Sequence, residues 1–333
     1  MSHLSSEISR SADKVNKFIE TVVDLETEPK VLYRAARHII DAGGKRLRPF
    51  LVLKTCKLVG GNEEDALAAA SSLEMLHTFT LLHDDIMDQD EKRRGVPSVH
   101  TKWGVPIAIV AGDLLFAKVY EAITKHTDLK RVKPKRILQV IEEISEATIV
   151  LCEGQTRDML FEDKETVSEE EYFKMIEGKT AALFVTSARC GGLLGGATKS
   201  QVKRLGEFGH YIGVAFQVID DVLALTADEK VLKKPVGNDI REGKRTLMVV
   251  YALKKASKGQ RQKILETLGN QDASAEQIRE TISLFESLGA LAYAKKLADK
   301  YIRKSKKALS RFPEGPDKED LLNLADLIFA RQN

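Results

Sequence analysis

The chain has 333 residues, of which 43% are hydrophobic and 30% charged, the balance of an ordinary globular protein long enough to bury a large core. Lysine and arginine number 52 against 49 acidic residues, a formal charge of +3, and the two signs are interleaved along most of the chain. Such a balance argues against nucleic acid or a membrane surface as the main partner.

The first residues, MSHLSSEISRSADKVNKF, are polar and amphipathic and lack the apolar core of a signal peptide. From there, helical periodicity covers residues 5–25, 29–42, 47–60, 63–88, 106–126, 135–161, 168–196, 200–226, 243–257, 260–269, 274–308 and 317–330. Pro29, Pro49, Pro134, Pro235, Pro313 and Pro316 fall where helices can start or stop. No alternating strand pattern, internal repeat or linker interrupts this series, and no run of about 18 apolar residues offers a membrane span. An all-α fold is predicted: one large helical bundle with a central cavity, a single domain over 1–333. Stretches 63–83 and 181–196 are apolar on every side and should be its central helices. Cys56, Cys152 and Cys190 are widely spaced, without metal-ligand spacing. They read as reduced core thiols of a cytoplasmic protein.

Charge collects in the irregular segments: DAGGKRLRP at 41–49, QDEKRRGVPS at 89–98 and TADEKVLKKPVGNDIREGKR at 226–245. Cationic side chains and free backbone N–H groups at helix ends suit anion capture. The acids lie elsewhere. Asp84, Asp85 and Asp88 interrupt the apolar helix ALAAASSLEMLHTFTLL, and Lys92, Arg93 and Arg94 follow them. Carboxylates in such surroundings must be neutralised, either by the following bases folding back or by a divalent cation. Asp84 and Asp88 are four apart and share a helix face with His77. That arrangement suits magnesium, which binds through a few carboxylates and substrate phosphates while keeping several waters.

GHYIGVAFQVIDDVLALT, residues 209–226, repeats the pattern, with Gln217 four before Asp221 and Phe216 four before Asp220. Two acid pairs on two central helices suggest facing walls of a metal-filled cavity. The Glu-x-x-His pairs of a di-iron bundle are missing from these clusters, and EGKT at 177–180 is no phosphate-binding loop because position 173 is Phe173.

GGKRLRP at 43–49, LLHDDIMD with RRG at 81–95, EGQTRD at 153–158, GKT at 178–180, FQVIDD at 216–221 and KPVGNDIREGKRT at 234–246 together resemble the trans-isoprenyl diphosphate synthases. The last loop is most similar to that of short-chain geranylgeranyl-type enzymes of archaea and bacteria. The resemblance implies an all-helical, usually homodimeric prenyltransferase. An allylic diphosphate (dimethylallyl, geranyl or farnesyl) ionises with the help of Mg2+, and isopentenyl diphosphate adds head-to-tail. By the same resemblance Asp84, Asp88 and Asp220 are metal ligands. Asp85 helps through hydrogen bonds or water, and Asp221 lies near Asp220. Arg93, Lys179, Lys234 and Lys244 hold the allylic diphosphate, with Thr180 and Gln217 beside its first carbon. Lys45, Arg48, His77 and Arg94 bind isopentenyl diphosphate. The sequence departs from the family at Ala224, where a third aspartate is usual.

Helix phase puts Thr80 and Leu76 on the face below Asp84. In the family, the residues four and five before the first aspartate set product length; here they are Thr80 and Phe79. One bulky and one small residue resemble the geranylgeranyl synthases, with farnesyl or longer products as the alternative. A terpene cyclase has no use for a second diphosphate site such as GGKRLRP with His77, and a noncatalytic subunit of a heteromeric synthase tends to lose the aspartate motifs. Asp90 and Glu91 read as solvated residues at the helix end.

Overall fold

The computed structural model describes residues 3–162, 164–226 and 237–330. Nearly all regular structure there is helical: α1 His3–Val22, α2 Lys30–Asp41, α3 Leu47–Leu58, α4 Glu63–Met87, α5 Val99–Trp103, α6 Val105–His126, α7 Pro134–Glu162, α8 Glu169–Ile176, α9 Ala182–Gly195, α10 Lys199–Thr226, α11 Asn238–Arg241, α12 Leu247–Lys255, α13 Lys258–Thr267, α14 Ala275–Ser287, α15 Ala290–Ala308 and α16 Pro316–Ala330. The all-α expectation holds, with one exception that periodicity could not register. Lys92–Arg93 (β1) and Val96–Pro97 (β2) pair antiparallel, a ladder too short to leave an alternating pattern.

Two more departures have local causes. The stretch 274–308 is broken after Ser287, because Gly289 takes a left-handed φ of 79° that starts a new helix. The stretch 168–196 contains a π turn, Glu177–Ala181, between α8 and α9.

The described residues form two compact units. The first comprises 1–145, 186–206 and 311–321, and the second 146–185, 207–310 and 322–333. At the centre of the first, α4 packs against α3 and α6. Asn62 caps its start by accepting from Glu64 N–H, and Glu63, Glu64 and Asp65 sit at its positive end. Ala66, Ala68, Ala69, Ala70, Ser71 and Ser72 are all buried, so small side chains let the neighbouring helices approach closely. The Ser72 hydroxyl donates to Val119 O on α6 at 2.9 Å. On α9, Gly191 lies so close to α3 that a Cβ there would collide with Thr55 and the Val52 carbonyl. Apolar stretches 63–83 and 181–196 are thus buried, as their composition predicts.

α10 is long and apolar enough to cross a membrane by length and composition, yet 61% of its apolar window is buried within the protein. Its hydrophobicity is that of a core helix. Cys56 and Cys190 are buried free thiols, while Cys152 stands exposed on α7, so the core-thiol reading fits only two of the three.

Candidate active site

In the first unit the charged residues gather at the end of α4, the 43–48 loop and the short hairpin. Asp84 and Asp88 are half-buried, one turn apart, with Asp88 N–H donating to Asp84 O at 2.8 Å. The last turn of α4 carries no base, so these acids add to the negative end of the helix dipole, a position that favours a cation. Among the described residues, no three His, Cys, Asp or Glu side chains cluster as a self-sufficient metal site. The donors present fit magnesium, which takes a few carboxylates and completes its shell from water and substrate phosphate.

Asp85 points another way. It is fully buried and accepts from Arg93 Nε, while its Oδ2 has no hydrogen-bond partner. Burial pushes its carboxyl up to about 6 against the pull of Arg93. Arg93 Nη2 also donates to Asp90 Oδ2 at 3.2 Å. The bases after the acids therefore do fold back, onto Asp85 and Asp90, and Asp90 is not merely solvated as its place at the helix end suggested.

The hairpin accomplishes this return. Arg94 and Gly95 both have positive φ, 54° and 84°, which gives β1 and β2 a two-residue turn of the kind that suits strand twist. Arg94 is aimed at backbone, donating from Nη1 to Gly43 O and to Ile39 O, the latter at 2.9 Å. Gly43 and Gly44 have φ of 101° and 141°, and a Cβ on Gly44 would lie 2.8 Å from the Arg94 guanidinium carbon. Both glycines of GGKRLRP thus take backbone conformations that other residues rarely adopt, and a Cβ on the second would displace the Arg94 guanidinium.

Arg46, to which sequence reasoning gave no role, is the staple of this loop. It is 3% exposed and left-handed at φ 48°. Its guanidinium donates to Asn16 Oδ1 at 3.0 Å, Gly43 O at 3.1 Å, Ile40 O at 2.6 Å and Glu74 Oε1 at 2.7 Å. With Arg46 turned inward, the loop places Lys45 exposed and Arg48 half-buried. His77 lies one turn after Glu74; burial first, then the charges of Arg48, Arg94, Arg93 and Arg46, hold it well below its ordinary value. It is a neutral imidazole among guanidinium groups.

Below Asp84, Leu76 is fully buried and the Thr80 hydroxyl is turned onto His77 O at 2.8 Å. Phe79 packs edge-on against His83 at 4.8 Å between ring centroids and lies tilted against Phe116 at 5.3 Å, and Phe116 meets Tyr120 at 5.4 Å. Phe116 and Tyr120, four apart on α6, escaped sequence reasoning because nothing local ties them to α4.

In the second unit, the π turn carries Lys179 and Thr180. Lys179 Nζ meets Asp158 Oδ2 on α7 at 2.6 Å. Gly154 and Gly178 make this possible: a Cβ on Gly154 would collide with Lys179 N, and one on Gly178 would lie 2.7 Å from Val150 O. The Thr180 hydroxyl donates to Gln217 Oε1 at 2.6 Å, Gln217 Nε2 donates to Asp221 Oδ1 at 2.8 Å, and the buried Tyr172 hydroxyl donates to Asp221 Oδ2 at 2.7 Å. Asp220 is half-buried beside this row. Lys244 Nζ pairs with Glu242 at 2.6 Å, and Gly237 N–H donates to the Ala224 carbonyl at 3.1 Å. Lys234 lies outside the described residues.

The sequence profile of the polyprenyl synthetase family matches residues 29–285. The chain belongs to the polyprenyl synthetase family. It is therefore a prenyltransferase, and its all-α architecture is shared with solved members. One is the geranylgeranyl pyrophosphate synthetase of Pyrococcus horikoshii, 43% identical, with a TM-score of 0.92 and 98% of each chain covered. The geranylgeranyl diphosphate synthase of Methanosarcina mazei is 40% identical over 99% of this prenyltransferase and 98% of its own length. The geranylfarnesyl diphosphate synthase of Aeropyrum pernix is 42% identical over 89% and 92%.

Burial pushes the Asp221 carboxyl of this prenyltransferase from 3.8 up to about 7, with Gln217 and Tyr172 opposing. A carboxyl raised on folding contributes stability that is complete below its unfolded value and lost as pH rises through the folded one. Asp221→Asn should therefore gain stability relative to the parent as pH rises from about 4 to about 7; urea unfolding of both proteins without magnesium, at several pH values, measures this difference.

Proposed function

We propose that this prenyltransferase condenses isopentenyl diphosphate with an allylic diphosphate to give geranylgeranyl diphosphate. The observation that carries the product assignment is the Phe79–Phe116–Tyr120 aromatic row, which starts five residues before Asp84. A bulky row there closes the space into which a growing chain extends, and Thr80 beside it leaves more room than a second aromatic would.

Asp84, Asp88 and Asp220 would hold magnesium, which when bound supplies charge to draw the diphosphate away from its allylic carbon. Arg93, Lys179, Lys234 and Lys244 bind that diphosphate. Lys179 is oriented by Asp158 and Arg93 by Asp85 and Asp90, so both cations are fixed before the substrate arrives, the condition for effective charge stabilisation. Lys45, Arg48, His77 and Arg94 bind isopentenyl diphosphate, His77 as a neutral donor. Thr180 and Gln217 set oxygen lone pairs beside the developing cation, and the alkene of isopentenyl diphosphate attacks it. The proton then lost from the adduct goes to the departing pyrophosphate.

A second reading, a longer geranylfarnesyl-type product, is favoured by the name of the Aeropyrum pernix relative and separated by product mass. A cyclase reading leaves GGKRLRP without a task, and a noncatalytic subunit would have no need of Asp84, Asp88 and Asp220. We place the reaction in the cytoplasm, supported by three free cysteines. We also place the chain in a homodimer. Val105, Ile109 and Val110 of α6 are 43%, 42% and 49% exposed, an apolar strip suited to a second copy of itself.

Three outcomes test these assignments. Asp84→Ala should lower turnover by at least about 1,000-fold while circular dichroism and melting stay near those of the parent; retention of most activity removes Asp84 as a metal ligand. Phe79→Ser and Phe116→Ala should each lengthen the product by one or more isoprene units, read by mass spectrometry with each allylic primer; an unchanged distribution in both discards the aromatic row as the floor. Ile109→Glu combined with Val110→Glu should convert a dimer to a monomer in light scattering.

A further inference from the structure

The mechanism above uses Thr180 and Gln217, yet neither is placed by its own helix alone. Gln217 and Asp221 are one turn apart on α10, Tyr172 reaches them from α8, and Thr180 from the π turn. Three hydrogen bonds run in series: Tyr172 to Asp221 at 2.7 Å, Gln217 to Asp221 at 2.8 Å, Thr180 to Gln217 at 2.6 Å. Tyr172 is 0% exposed, Asp221 6% and Thr180 7%, so the Tyr172–Asp221 link is closed to water, while Gln217 is half-buried.

We propose that Tyr172 and Asp221 are positioning residues for the condensation: together they fix the Gln217 carboxamide and, through it, direct the Thr180 oxygen at the allylic carbon. The inference rests on the reading that Thr180 and Gln217 face that carbon.

The direction of the hydrogen bonds sets the character of this wall. Ionised Asp221 only accepts, and in that form the amide presents its NH2 to Asp221 and its Oε1 to Thr180, the arrangement found here. The reverse orientation would set Oε1 against a carboxylate oxygen. With Oε1 available, the Thr180 hydroxyl spends its single hydrogen on it, and the lone pairs left on Thr180 Oγ1 point away from the amide. A carbocation is stabilised by lone pairs and repelled by N–H dipoles, so the orientation of one amide decides whether this wall helps or opposes ionisation. The donors also polarise one another toward Asp221, which strengthens each bond in the chain. Tyr172 locks the carboxylate from its other side. Its own position is set early: Ser168 and Glu171 form a capping box at the start of α8, and Tyr172 follows directly.

The consequence for Asp221 is specific. Both of its oxygens are engaged within the protein, one by Tyr172 and one by Gln217, whereas a metal ligand would present one to the substrate side.

The test compares Tyr172→Phe, Asp221→Asn and Thr180→Val in the full chain, with isopentenyl and farnesyl diphosphates and a magnesium titration. Asp221→Asn removes the negative charge and leaves one acceptor oxygen where two donors converge, so the Gln217 amide is held less firmly and kcat should fall about 100-fold, the scale seen when one preorganised electrostatic group is lost. Tyr172→Phe removes one hydrogen bond to a charged group and should lower kcat about 10-fold. In both, KM for either substrate and the half-saturating magnesium should stay within about 2-fold, since uniform binding is untouched. The double variant should be no slower than Asp221→Asn alone, because the two act through one group. A rise in half-saturating magnesium for Asp221→Asn makes Asp221 a metal ligand and overturns the proposal, as does parental kcat in Tyr172→Phe. Loss of kcat in Thr180→Val with a parental Tyr172→Phe defeats the positioning role alone; a fully active Thr180→Val defeats the underlying reading of Thr180.

Discussion

Helix α4 carries Glu74 at a position only 2% exposed, and a carboxylate so enclosed must be matched by a cation with good geometry or it destabilises the fold. Arg46 supplies that cation at 2.7 Å. Because Arg46 is also the left-handed residue at the start of α3, the ion pair fixes the path of the 43–48 loop. The path leaves the carbonyls of Gly43 and Ile39 for Arg94, which anchors the hairpin. The hairpin then presents Arg93 to Asp85 and Asp90. One buried charge pair thus orders the cationic side chains of the first unit.

The second unit meets a similar constraint by other means. Its buried carboxylate, Asp221, is surrounded by neutral donors, and burial raises it to about 7. Where the first unit answers charge with charge, the second answers it with a tyrosine hydroxyl and an amide. Placing Thr180 within reach of that amide requires a π turn, and the turn requires glycine at 154 and 178 for backbone contact. Irregularity in the middle of a helix is here the device that turns Lys179 and Thr180 toward their partners.

Much of this was legible in the chain. Helix positions followed from apolar periodicity because each helix buries one face, and the two helices apolar on every side are indeed buried. Asp84 and Asp88 announced themselves by interrupting an apolar run. Arg46, Glu74, Asp158 and Tyr172 gave weaker signals, since each is one polar residue whose partner lies 21 to 49 positions away. Phe116 gave none, as an aromatic on an apolar helix face reads as core. The π turn was equally silent, because residues 181–196 are apolar on every side and a shift of phase leaves no mark in such a pattern.

The sequence by itself determined the helical class, the acidic and cationic groups available for chemistry and, through the order of its motifs, the family. Those properties reside in residue type and short-range spacing, which a helix converts directly into a shared face. Tertiary structure alone decided which base answers which acid: Arg93 for Asp85 and Asp90, Arg46 for Glu74, Lys179 for Asp158. It also decided that Asp221 looks inward to Tyr172 and Gln217. Adjacent residues on a helix diverge by about 100°, so Asp220 and Asp221 share a motif but not a direction, and only the neighbours packed around each define its task.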